Sequence, residues 1–205
     1  MAKIITVSRE FASGGREVGK RLADELGFEY YDREILEQVA KESSLDESYV
    51  ENMLSGNFAI SLPVTFGRTF IYNDVIQQNM TALLVAEQKI IRSLAESGKD
   101  MVIVGRSADV ILEDYKPLNL FVYASMESKL RRCRWRAPVN EQYNDKELAR
   151  KIRQVDAGRK RQRKIITDRT WGAKENYHLC INTTDMNIKS FVPSLAKFVR
   201  SYFED

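Results

Sequence analysis

Apolar residues alternate along this chain between short unbroken runs and longer stretches with a period near 3.6. Lys3 to Ser8, Phe28 to Tyr31, Met101 to Val104, Leu118 to Tyr123 and His178 to Asn182 are the short runs, with the composition of buried strands. Between them lie helical patterns. Val18, Leu22 and Leu26 share one face of a stretch that Gly27 ends, and Ile35, Leu36, Val39 and Ala40 mark another. Asp74 to Ser97 predicts a long helix with Ile76, Met80, Leu83, Leu84, Ile91 and Leu94 as its stripe. Basic helices are expected from Met126 and from about Asp145 to Thr167, and a last one over Ile188 to Tyr202. The stretch 43–73, broken by Gly56, Pro63 and Gly67, reads as short helices and loops. Strands alternating with helices predict an α/β fold whose five-stranded parallel sheet is covered on both faces, with the first strand central.

Composition narrows the picture. With 43% hydrophobic residues the chain can bury a core, so disorder is not the default reading, and 205 residues suit one domain over 1–205. No internal repeat or low-complexity linker cuts it. The net charge is only +3, but residues 131–164 hold thirteen Lys or Arg against four Asp or Glu. That segment carries +9 and the remainder −6, so it wants an anionic partner, most commonly phosphate. Cys133, Cys180 and the single His178 form neither a zinc spacing nor a redox pair. No apolar run approaches a membrane span, and the N-terminus leads straight into a strand pattern. The expectation is a cytoplasmic protein with reduced cysteines and no membrane partner.

The chemistry is expected where strands end. Ligands of open α/β sheets bind outside the carboxyl ends of the strands. The first such end, Ser8-Arg9-Glu10-Phe11-Ala12-Ser13-Gly14-Gly15-Arg16, joins a strand to a helix. Paired glycines let backbone N–H groups turn inward, and a helix start adds a positive dipole end, a geometry that cradles phosphate. The pattern G-x-x-x-x-G-K-[ST] is not met, because Gly15 stands in the lysine position and Arg16 in the Ser/Thr position. Arg16 can supply the missing cation but not a hydroxyl ligand for magnesium. The other reading of Gly14-Gly15 is a tight turn.

The pieces ITVSREFASGGREVGKRLADELGFEYYD, VIVGRSADVIL, NLFVYASMESKLRRCRWR, VDAGRKRQRK and WGAKENYHLCINT follow one another in a way that resembles the cytidylate kinase group of nucleoside monophosphate kinases, and more closely its divergent cytidylate kinase-like branch. That resemblance implies a P-loop kinase fold of three α/β/α layers, with a helical acceptor-binding insertion at about 33–97 and a basic lid at about 131–170. Ser13, Gly14, Gly15, Arg16 and Glu17 would hold the donor phosphates, with Arg16, Arg159 and Arg163 catalytic. Asp32, Arg106 and Asp109 would serve the acceptor. Arg106 matches a family Gly-Arg whose arginine holds the acceptor phosphate; Asp32 is alternatively a helix N-cap. Arg132 and Arg153 join the lid, with Asp156 orienting one of its arginines. The pattern departs from the family at Val104 and Ser107, where acidic residues are expected, and at Gln38, where an arginine is. Asp109, Glu10 or Glu17 are candidates to compensate for the lost acid.

The function expected is ATP-dependent phosphoryl transfer to a nucleoside monophosphate or similar small phosphorylated acceptor, with magnesium arriving as the ATP complex and no metal site of the protein's own. A nucleotide-binding protein that has lost catalysis is the second reading. Nucleic-acid binding through 131–164 is a third, disfavoured because few aromatics, Trp135 and Tyr143, interleave that segment and no recognition motif accompanies it.

Overall fold

The structure, a computed structural model, describes residues 2–54, 69–136 and 144–204. The segment 55–68, with Gly56, Pro63 and Gly67, and the side chain of Ile76 lie outside the described residues. In chain order the elements are β1 (Ile4–Arg9), α1 (Gly15–Leu26), β2 (Glu29–Tyr31), α2 (Arg33–Ser43), α3 (Glu47–Leu54), α4 (Thr69–Glu96), β3 (Met101–Val104), α5 (Ala108–Ile111), β4 (Leu118–Tyr123), α6 (Met126–Arg136), α7 (Asp145–Ile166), β5 (Leu179–Asn182) and α8 (Ile188–Tyr202).

The five strands pair in parallel in the order β2-β3-β1-β4-β5, so the first strand is central, as its β-branched run predicts. Side chains of β1 alternate between two cores, as the period of a strand requires. Ile5 and Val7 pack with Val18 and Leu22 of α1 and with Val192, Leu195 and Val199 of α8. Ile4 faces the other layer, where Leu36 and Val39 of α2 meet Leu83, Leu84 and Ile91 of α4. Each fully buried Leu or Ile contributes about 1.5–3 kcal/mol by leaving water, so both layers are held to the sheet by ordinary apolar burial.

Two features depart from the expected boundaries. Helix α4 begins at Thr69, five residues before Asp74, and the short helix α5 interrupts what read as a connection. Four residues make barely one turn, too few for a periodic pattern to register.

The strand order fixes where a ligand can lie. The connection leaving β1 runs toward the β2 side of the sheet, and the one leaving β4 runs toward the β5 side. The loops therefore part between β1 and β4 and open a crevice at the carboxyl ends.

Candidate active site

The loop after β1 turns through two left-handed residues, Ala12 (φ 57°) and Gly14 (φ 85°), before α1 begins. The buried Ser13 hydroxyl donates to the Glu10 carbonyl (2.8 Å) and accepts from the Gly15 N–H (3.3 Å). The Ser13 carbonyl accepts from Thr183 Oγ1 (2.5 Å) and Arg132 Nη1 (3.1 Å), so the loop is braced from the residue after β5 and from α6. Arg132, expected in the lid, is thus a buttress of the loop, and it also donates to the Thr183 carbonyl. The first turn of α1 leaves N–H groups without intrahelical partners, the donors that an anion at a helix start would use. Phe11 N–H donates to Asp156 Oδ1 (2.7 Å), a carboxylate sitting on the loop where an anion is expected.

Arg9, the last residue of β1, reaches the crevice although motif reading passes over it. Its side chain is 13% exposed and lies across the strand ends. A Cβ on Gly15 would come within 2.5 Å of Arg9 Cβ, and one on Gly105 within 1.6 Å of its Nη1. Both glycines therefore make room for this arginine. Arg9 Nη2 stands 3.5 Å from Asp32 Oδ1, and Arg16 Nε pairs with the other oxygen of the same carboxylate. Burial, then the charge of Arg159, depresses the Arg9 pKa to about 9, with Arg106 and Arg16 acting the same way and Asp32 opposing. Asp32 holds the N-cap position of α2 but makes no capping bond, and it lines neither of the cavities below. Only 3% exposed, its carboxylate faces Arg9 and Arg16, and with Arg16 and Tyr30 it borders a further opening beside the crevice.

Gly105, Arg106 and Ser107 are three consecutive left-handed residues, with φ of 83°, 60° and 51°. A side chain other than glycine pays roughly 1–2 kcal/mol for that conformation, so the turn is held by its surroundings. It lifts Arg106 out of the strand end and onto Glu87 of α4, Nη1 to Oε1 3.4 Å. Glu87 is fully buried and its second oxygen has no partner among the described residues. Burial raises its pKa, and Arg106 opposes that through charge and hydrogen bond. Arg106 is therefore in a buried pair with one open side, not in a surface salt bridge.

Helix α7 divides the expected lid arginines. Arg159 Nη1 donates to the Arg9 carbonyl (2.9 Å), approaches Asp156 Oδ1 (3.4 Å) and lies over the Phe11 ring, so it faces the crevice. Arg163, expected among the lid arginines, is held in a buried pair. It is 1% exposed and grips Asp109 with two bonds of 2.9 and 2.8 Å, while its Nε donates to the Arg169 carbonyl. Asp109, expected to serve the acceptor, is equally committed to this pair, which ties α7 to α5. Arg153 is exposed and borders neither cavity below. Glu17 pairs with Arg21 (2.9 Å) and Arg136 (2.8 Å), and Glu10 with Lys129 (2.6 Å) and the Ala124 N–H. Asp156 bridges the loop to Arg159 rather than only orienting a lid.

Two cavities open along the crevice. One, of about 340 Å³, is enclosed by the loop from Arg9 to Arg16, by Arg132, Cys133 and Arg136 of α6, and by Leu148, Lys151 and Arg159 of α7. The other, of about 310 Å³, lies over β3 and is bounded by Gly105, Arg106, Ser107, Gln162, Arg163 and Trp171. Arg9, Phe11, Arg16 and Arg159 line both. Two ligand-sized spaces meeting at three guanidiniums suit two anionic ligands brought end to end.

A sequence profile of the cytidylate kinase-like family matches residues 4–185. The chain belongs to the cytidylate kinase-like family. Among solved structures it is similar to an uncharacterized protein from Eubacterium ventriosum ATCC 27560 (23% identity, TM-score 0.70), covering 97% of this chain and 99% of that one. It is also similar to a shikimate kinase from Acinetobacter baumannii in complex with shikimate (14%, TM-score 0.53, 98% and 95% covered). A sugar kinase from Janibacter sp. HTCC2649 is a third likeness (12%, TM-score 0.54, 98% and 95% covered). At these identities the likenesses show the fold, which is that of P-loop kinases. The comparison with curated proteins gives no match.

Within this cytidylate kinase-like member, one departure from the family pattern has a visible reason. Val104 is fully buried under α1, where a Cβ on Gly19 would come within 2.7 Å of it, so an acid there would enter an apolar layer. Among the described residues no three His, Cys, Asp or Glu gather to hold a metal, and Glu10, Glu17, Asp32 and Asp156 each face a cation already. Charge at the crevice is met by arginines. Among the described residues no helix is long and apolar enough to cross a membrane.

Proposed function

We propose that this protein transfers the terminal phosphoryl group of ATP to a nucleoside monophosphate or a similar small phosphorylated acceptor. The observation that carries the reading is the pair of cavities meeting at Arg9, Arg16 and Arg159. ATP enters the cavity between the loop and α6–α7, its phosphates against the Ser13–Glu17 turn and the start of α1. The acceptor phosphate lies on Arg106 in the second cavity, where a guanidinium fork suits two phosphate oxygens. Transfer across the shared wall needs little covalent work from the protein; it needs alignment and positive charge around the moving group. Magnesium enters only as part of the nucleotide complex, and no step here depends on a protein-held ion.

The test is ADP formation with a panel of monophosphates, followed by Arg106→Lys on the best acceptor. Lysine keeps a cation for the buried Glu87 but removes the fork. The acceptor KM should rise about ten- to a hundredfold with ATP affinity within threefold. Equal losses for ATP and acceptor would sink the assignment of the second cavity. A nucleotide-binding protein without transfer is the second reading, favoured by the Asp156 carboxylate on the Phe11 N–H. ATP binding without ADP formation on any acceptor would decide for it.

A further inference from the structure

We infer that Arg9 is the phosphate-gripping cation of this crevice, taking the part that the missing loop lysine would play, with Arg159 as its second arm. The sequence places Arg9 where the loop pattern has its first glycine, and Gly15 where it has lysine. The structure shows the exchange as one of space. Gly15 and Gly105 both leave room that the Arg9 side chain fills, so a glycine in the lysine position and an arginine in the glycine position are two halves of one substitution. The guanidinium then lies on the wall common to both cavities, where a group passing from one to the other must go.

Arg9 is also short of countercharge. Among the described residues its carboxylate contact is Asp32 at 3.5 Å, and Asp32 is shared with Arg16. The charged groups acting most strongly on it are Arg16 of α1, Asp32 before α2, Arg106 after β3 and Arg159 of α7, three cations and one anion, while Glu51 of α3 lines the second cavity with it. A buried cation so placed gains from any ligand that brings phosphate oxygens within reach, and its crowding lowers the cost of holding a dianion or trianion. Arg16, by contrast, is exposed and reaches the crevice from its rim. The inference deepens the transfer reading and rests on it for the identity of the anion, but anion capture can be measured without transfer.

The experiment is calorimetric titration of the full chain with inorganic pyrophosphate, and in parallel with ATP, at fixed ionic strength. Arg9→Gln should lower pyrophosphate affinity about ten- to a hundredfold, the loss of a charge-assisted contact. Gly105→Ala should act in the same direction with Arg9 still present, because its methyl takes the guanidinium's place, and it decides the matter if Arg9→Gln does not fold. Arg134→Ala, on the exposed side of α6, should bind as the wild type does. Wild-type affinity in both Arg9→Gln and Gly105→Ala overturns the inference, as does a wild type that ignores pyrophosphate. An equal loss in Arg134→Ala also overturns it, since the effect is then one of general charge. A wild type that binds pyrophosphate through Arg9 but neither binds nor turns over ATP leaves the anion site standing and removes the transfer reading.

Discussion

Two arginine–aspartate contacts lie at the carboxyl ends of this sheet, and they are built in opposite ways. Arg163 and Asp109 face each other with two parallel bonds, almost no exposure and a further bond to the Arg169 carbonyl. Every charge there is answered. Asp32, in contrast, divides its carboxylate between Arg9 and Arg16, and the first of these contacts is 3.5 Å long. A bidentate, buried pair has its charges met from within, even though Arg163 borders the second cavity. A carboxylate shared by two guanidiniums beside two more arginines is incomplete, and an anion would finish it. The residue types are the same; what separates structure from function here is how fully the charges are met.

Removing one partner of the complete pair should have the largest effect. Arg163→Ala leaves the Asp109 carboxylate buried without a cation, which costs about 3–5 kcal/mol. Replacing the pair by Arg163→Met with Asp109→Leu should be near neutral, because burial cost and attraction disappear together. Urea unfolding of the three proteins checks this. A loss below about 1 kcal/mol for Arg163→Ala would break the comparison and return Arg163 to the transfer machinery.

The Arg106–Glu87 pair stands between these extremes and should show it through pH. Burial already raises the Glu87 pKa, and Arg106 restrains it. A carboxyl whose folded pKa is raised contributes most below its unfolded value and loses that contribution as pH rises through the folded pKa. Arg106→Ala removes the restraint, so the variant should lose about 1.5–3 kcal/mol near neutral pH and clearly less near pH 5. Adding Glu87→Gln should restore most of the loss and flatten its pH dependence. A loss that is the same at both pH values would mean Glu87 does not titrate in this range and that the pair is held by something other than charge.

Sequence pattern carried the sheet well because parallel strands buried on both sides read as unbroken apolar runs. The core of β1, β3 and β4 is legible for that reason, and so is the phosphate-loop position, where glycines follow a strand. Charge partners were not legible. Arg163 and Asp109 are 54 residues apart, and Arg106 and Glu87 lie on different elements, so only folding decides which arginine is answered and which is open. Arg9 is not legible from the loop pattern, whose cation follows the last glycine. A signal did exist: a charged residue ending an otherwise apolar buried strand is expensive unless something is made of it.

The smallest effects are expected on the outer face of α6, and they mark where the comparison stops applying. Arg131 pairs with Asp185 and Arg134 with Asp145, and all four side chains are more than half exposed. Such contacts gain little in water, where each charge is already well solvated and holding two long side chains together costs entropy. Arg131→Ala and Arg134→Ala should each change unfolding free energy by no more than about 0.5 kcal/mol, and neither should alter ATP affinity, since neither borders the cavity of the loop. The two variants combined also test whether the +9 segment serves a polyanion outside the crevice. Binding to a random oligonucleotide, measured across salt concentrations, should be weak in the wild type and indifferent to both substitutions. Tight wild-type binding whose salt slope falls by about one for each arginine removed would show that this face holds nucleic acid, and the excess charge of α6 and α7 would then be a surface property rather than a consequence of the phosphate crevice.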